Sequence, residues 1–387
     1  MLHEIIESAR SRLGERLLIL GHHYQREDVI VHADLVGDSF QLSSIAAEQS
    51  APNRHTTSKS NFAHNQIDNS NFADKNFAKK NCETIIFCGV HFMAETADIL
   101  ANSSENLERR GGERVNVILP DLGAGCSMAD MASRESVSKC WDELATIIDI
   151  DEVLPITYVN STAELKAFCG ERGGVACTSS NARAVIEWAL SKKRRILFFP
   201  DQHLGRNTAL KMGIPISEMT TWKDGKPEFG GNDIDVIRRS RVLLWDGFCC
   251  VHQKFLPGHI DEIRSILPNV KVIVHPECNQ EVVAKADEAG STAYILKRIT
   301  ESPDESVWAV GTESRFVERI AKQNPSKKIV HLAFQPSYCS TMGLITLENL
   351  AAMFDPIEKN KPINIIKVEE SVAKNALIAL QRMLQIT

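Results

Sequence analysis

Short apolar runs that stop abruptly at polar, chemically capable residues recur along the chain. Leu17-Leu18-Ile19-Leu20 runs into Gly21-His22-His23-Tyr24-Gln25, Leu154-Pro155-Ile156-Thr157-Tyr158-Val159 into Asn160-Ser161, and Val272-Ile273-Val274 into His275-Pro276-Glu277. Continuous apolar runs of this length, followed by helical patterns, predict buried parallel strands in α/β units. After each run comes a small hydroxyl-bearing turn that opens a helix: Gly37-Asp38-Ser39, Thr178-Ser179-Ser180-Asn181 and Gly290-Ser291-Thr292. The spacing from strand end to hydroxyl is similar in all three, from His22 to Ser39, Tyr158 to Ser179 and His275 to Ser291. A further strand follows at residues 85–90, 196–201 and 308–313. The last strand of each copy then runs into a cysteine, 117–121 toward Cys126, 242–248 toward Cys249 and 329–334 toward Cys339.

One plan used three times predicts an α/β protein of three pseudo-symmetric α/β/α units. Each is expected to hold a four-stranded parallel sheet, over residues 1–131, 132–255 and 256–387, the last including the C-terminal helices. Ligands of open α/β sheets bind beyond the carboxyl ends of the strands. Three such units around one axis would therefore bring three cysteines and three sets of strand-end residues to one central cavity. Residues two apart at a strand end point the same way, which pairs His22 with Tyr24, Tyr158 with Asn160 and His275 with Glu277. Ser39, Ser179, Ser291 and Thr292 lie at helix starts. There a hydroxyl serves as an N-cap or, with the backbone N–H groups, favours phosphate and carboxylate.

Composition narrows the function classes. At 387 residues the chain is long enough for two or three domains. Hydrophobic residues at 43% and charged residues at 24% fit a folded globular protein. The net charge of −6 gives no support for nucleic-acid binding; the basic run Lys192-Lys193-Arg194-Arg195 reads as a solvated helix end. No segment approaches the apolar length of a membrane span and the N-terminal residues lack a secretory core, so a cytoplasmic enzyme is expected. None of the ten cysteines forms a CxxC pair, which argues against zinc ribbons and thioredoxin-type motifs. Most read as small buried hydrophobes. Cys126, Cys249 and Cys339 stand apart by position, and three thiolates from separate loops suit zinc or a four-iron cluster. A cluster on three cysteines leaves one iron open as a Lewis acid for dehydration or condensation.

The segments His22-His23-Tyr24-Gln25, Gly37-Asp38-Ser39, residues 87–97, Ala124-Gly125-Cys126-Ser127, Tyr158-Val159-Asn160-Ser161 and Thr178-Ser179-Ser180-Asn181 resemble the quinolinate synthase family. So do Val251-His252, His275-Pro276-Glu277-Cys278, Gly290-Ser291-Thr292 and Cys339-Ser340-Thr341-Met342, so that the resemblance runs from about residue 17 to residue 350. It implies condensation of iminoaspartate with dihydroxyacetone phosphate to quinolinate, with loss of phosphate and water, in NAD biosynthesis. It also implies a [4Fe–4S] cluster on Cys126, Cys249 and Cys339, and an L-aspartate oxidase or aspartate dehydrogenase as supplier of iminoaspartate. Substrate contacts carry over to His22, Tyr24, Ser39, Tyr158, Asn160, Ser179, His252, His275, Glu277, Ser291 and Thr292. Tyr24, Glu277, His22, His275 and His252 are the implied acids and bases. The chain departs from the family pattern in an extra stretch at 51–81, in His203 where an asparagine is expected, and in lacking a CxxCxxC run at the third cysteine. The extra stretch repeats Asn-Phe-Ala at 61, 71 and 76 and reads as a surface excursion. A different cluster-dependent hydro-lyase and an iron–sulfur sensor are the competing readings; the second would need a DNA-binding module, and no helix-turn-helix signal or basic arm is present.

Overall fold

The computed structural model describes residues 1–48 and 82–386, and the expectation for 51–81 lies outside the described residues. In the first sheet, β1 (Leu17–His22) is buried at every position because it lies between β2 (Leu35–Gly37) and β3 (Thr84–Cys88), with β4 (Asn116–Ile118) beyond β3. The second sheet sets β5 (Val153–Tyr158) between β6 (Val175–Cys177) and β7 (Arg195–Phe199). Beyond these lie β8 (Met219–Trp222) and β9 (Val242–Trp245), β9 pairing with β7. The third sheet has β10 (Lys271–Val274) between β11 (Glu288–Ala289) and β12 (Val307–Gly311), and β13 (Lys328–His331) on the far side of β12.

Within each sheet the four repeated strands run parallel in the order second, first, third, fourth. Chain direction across the sheet reverses at the first strand, so a crevice opens beyond its carboxyl end. His22 and Tyr158 end β1 and β5, and His275 directly follows β10.

The expectation of four strands per sheet holds only for the third. Met219–Trp222 adds a parallel edge to β9, and β14 (Ile365–Ile366) adds an antiparallel edge to β4. Both additions are short edge strands without the apolar run that marks a central one. Arg195 also departs from the reading of a solvated helix end. Only Lys192 belongs to the helix Ala182–Lys192, whereas Arg195 opens β7, is 5% exposed, and pairs with Glu152 at 2.6 Å.

After the third sheet the chain returns to the other two. β14 joins the first, and the helix Glu370–Gln385 packs along the helix Ala163–Glu171 of the second. The two helices meet at Gly170, where a Cβ would lie 1.9 Å from the carbonyl of Asn375, so only glycine permits the approach. One apolar core runs through the first two sheets and this returning segment. The third sheet has a separate apolar cluster on each face, which leaves a polar seam between it and the rest.

Candidate functional site

The seam carries a cavity to which all three sheets contribute. His22, Tyr24 and Ser39 come from the first, Tyr158, Asn160 and Ser179 from the second, and His275, Glu277 and Thr292 from the third. Cys126, Cys249 and Cys339 line the same cavity. Cys250 instead is exposed, with its thiol 3.8 Å from the Ser127 hydroxyl.

Two of the sequence-expected residues stand behind the wall. Ser291 caps the helix Thr292–Thr300 by accepting from the Tyr294 N–H, and its hydroxyl lies 2.9 Å from that of Ser180. His252 is 1% exposed and stacks on His275 with ring centroids 4.5 Å apart. Its Nδ1 sits 2.7 Å from Glu277 Oε2 without in-line hydrogen-bond geometry.

Each sheet's strand end is locked by its own local bonds. The His22 Nδ1 accepts from the Tyr24 N–H at 3.2 Å, and the His275 Nδ1 accepts from the Glu277 N–H at 3.4 Å. An imidazole that accepts at Nδ1 keeps its proton on Nε2. Burial drives both rings down to about 3, so both are neutral N–H donors at neutral pH. Burial likewise raises the hydroxyls of Tyr24 and Tyr158 well above the usual phenol range. The Tyr24 hydroxyl bonds Thr312 Oγ1 at 2.7 Å, and Tyr158 bonds Glu277. Glu277, 2% exposed, would be raised by burial alone; His275, His252 and the Tyr158 hydroxyl outweigh that and hold its carboxyl below the ordinary range. The Oδ1 of Asn160 is buried without a protein partner.

Three polar residues escaped the sequence reading. Thr312, fully buried, follows β12 and joins Tyr24 to His252, whose Nε2 lies 3.0 Å from the same hydroxyl oxygen. Ser180 hydrogen-bonds Asp38 Oδ2 at 2.6 Å and Ser291 Oγ at 2.9 Å, so one hydroxyl ties the three helix-opening turns together. Asn181 accepts from the Thr178 N–H and donates to the carbonyls of Met383 and Ile386. The signal for Thr312 was its place at a strand end; the other two lay inside motifs whose neighbours drew attention.

The thiols fit a metal centre. Burial pushes Cys126 up to about 12 and raises Cys249 and Cys339 as well, so thiolates here need positive charge close by. Around a single tetrahedral ion bound at about 2.3 Å the sulfurs would stand about 3.8 Å apart. Among the described residues, the trio whose donor atoms all lie within 4.8 Å is Cys249, His252 and Glu277, not the three cysteines. The three cysteines, which all line the cavity, are not drawn that close together.

The model of the Quinolinate synthetase A protein family matches residues 4–53 and 60–385. A quinolinate synthase from Rhodopirellula baltica is 47% identical over 386 residues, covering 100% of this chain and 91% of the relative. The quinolinate synthase of Corynebacterium glutamicum is 46% identical, covering 100% of this chain and 87% of the relative; that of Bacillus subtilis is 43% identical, covering 99% and 92%. With the family model matched along nearly the whole chain, and with relatives this similar over their own length, the protein belongs to the quinolinate synthase family.

Proposed function

We propose that the chain condenses iminoaspartate with dihydroxyacetone phosphate to quinolinate, releasing phosphate and water, with a [4Fe–4S] cluster held by Cys126, Cys249 and Cys339. The observation that carries this reading is the convergence of three cysteine thiols and three helix-opening hydroxyls on one cavity between three sheets. When bound, the cluster supplies an open iron that acts as a Lewis acid toward a hydroxyl or carboxylate oxygen.

The protein residues supply the rest. Ser39 and Thr292 begin their helices and Ser179 lies just before another, so hydroxyls and N–H groups from three turns can grip a phosphate. His22 and His275, neutral with Nε2–H outward, donate to a carbonyl or carboxylate oxygen without adding charge. The Asn160 Oδ1 accepts from an imine or amine N–H. Glu277 moves protons during carbon–nitrogen bond formation and dehydration, with Tyr158 and His252 returning it to the ionised form. Thr312 and His252 hold Tyr24 and Glu277 in register. Iminoaspartate itself must come from an oxidation of aspartate, by an L-aspartate oxidase or aspartate dehydrogenase. No helix among the described residues is long and apolar enough to cross a membrane.

Anaerobic purification with iron and sulfide analysis, followed by turnover with both substrates, tests the proposal. A four-iron absorption spectrum with quinolinate formation is the expected result. Full turnover by a colourless, zinc-loaded protein would overturn it.

A further inference from the structure

Resting on that reading of Glu277, we infer that Asn207 is a positioning residue that clamps the Glu277 turn from the neighbouring unit. Asn207 lies on the helix Gln202–Lys211, which follows β7 of the second sheet, and is 2% exposed. Its Nδ2 donates to the Pro276 carbonyl at 2.8 Å and to the Cys278 carbonyl at 2.8 Å. These two carbonyls stand on either side of Glu277 in the third sheet's loop. The two hydrogens of one amide nitrogen diverge in a fixed plane, so satisfying both carbonyls fixes the orientation of the turn between them.

The remaining backbone groups of that turn are bonded less tightly. The Glu277 carbonyl accepts from Gln253 Nε2 at 3.2 Å, the Glu277 N–H reaches the His275 Nδ1 at 3.4 Å, and the Cys278 N–H donates to the His275 carbonyl at 3.0 Å. Asn207 thus supplies the shortest of these bonds, and its two bonds, like the longer one from Gln253, cross between units. The helix carrying it is itself anchored, since Asp201 caps it through the Leu204 N–H at 2.6 Å. The helix Gln280–Lys285, which continues the loop, packs on the same helix. A side chain that acts from a loop needs a rigid frame. A displacement of about 1 Å at a reacting group costs on the order of 10²-fold in rate.

The test is a double-mutant cycle between Asn207 and Glu277 in the anaerobically purified enzyme. Asn207→Asp keeps the size and removes both donated hydrogens. It should lower kcat by on the order of 10²-fold, while iron and sulfide content and both KM values stay within about twofold. Asn207→Gln, which keeps the terminal amide, should recover part of that loss. In a Glu277→Gln background, adding Asn207→Asp should have almost no further effect on kcat, because the clamp acts through the carboxylate. Should Asn207→Asp prove insoluble, Asn207→Ser, with a single donor, is read through the same cycle. A slow Glu277→Gln enzyme whose rate falls again by the full factor on adding Asn207→Asp overturns the clamp alone. A fully active Glu277→Gln enzyme overturns the reading of Glu277 and the clamp with it.

Discussion

Replacing Ser180 by alanine tests whether one hydroxyl couples the three units. The change removes a 2.6 Å bond to the Asp38 carboxylate and a 2.9 Å bond to the Ser291 hydroxyl. A bond to a charged partner contributes about 1.5–3 kcal/mol and a neutral one about 0.5–1.5 kcal/mol. Asp38 keeps ties from the Gln41 and Phe40 N–H groups but loses its side-chain partner while it stays buried. Together these give a loss of about 3 kcal/mol. Unfolding entropy of about 2.1 cal/mol/K per residue over the chain amounts to about 0.8 kcal/mol/K, so Tm should fall by about 4 °C. The catalytic readout is separate. Ser179 and Thr292 flank the severed contacts and line the cavity, so KM for dihydroxyacetone phosphate should rise while iron content stays unchanged. Anaerobic calorimetry and initial rates measure both effects. A Tm shift below about 1 °C with an unchanged KM would show that the three turns are held in place without Ser180.

Cys249→Ser should lose the cluster's iron under anaerobic conditions while Cys250→Ser keeps it, since only Cys249 faces the cavity; the opposite iron counts would reverse the assignment. His22 and His275, held neutral by burial at about 3, should give kcat no acid limb near 6.5. An acid limb there that vanishes in His22→Asn would contradict this. Lys166 is fully buried and lowered to about 8 by burial, so the folded state binds fewer protons than the unfolded chain between about 8 and 10.5. The Lys166 contribution to stability should therefore rise with pH across that window by about 3 kcal/mol, against the opposite contribution of the buried cysteines and tyrosines raised above their ordinary range. In denaturant titrations the parent should therefore gain on Lys166→Met by about that amount across the window, and equal pH slopes would refute it.

Features set by local pattern were legible in the sequence. A strand buried on both faces must be apolar throughout, and the polar residue that ends it must face an opening; that logic placed His22, Tyr158 and His275 at one cavity. Features set by distant partners were not. Met219-Thr220-Thr221-Trp222 is a strand because β9 offers it an edge, and Arg195 opens a buried strand because Glu152 and the Arg238 carbonyl receive its guanidinium. Asn207 occupies an ordinary helical position, and only the packing of that helix on the loop at 276–278 reveals its partners. Ser291, expected among the substrate contacts, caps its helix with its hydroxyl toward Ser180, a partner in another unit that no local pattern announces.

The pairing of β14 with β4 has a consequence for how the protein is made. Ile365 meets Ile118, a partner synthesised roughly 250 residues earlier. At about 5–20 residues per second the outer edge of the first sheet therefore waits on the order of 10–50 s on the ribosome before its last strand emerges. During that interval β4 presents open backbone groups, the template on which nascent chains pair wrongly with one another. The strand that closes this edge leads into the helix that carries the Met383 carbonyl and ends just before Ile386. The carbonyls of both residues hold Asn181, so protecting the edge and finishing the Ser179 turn fall to the same late-arriving segment.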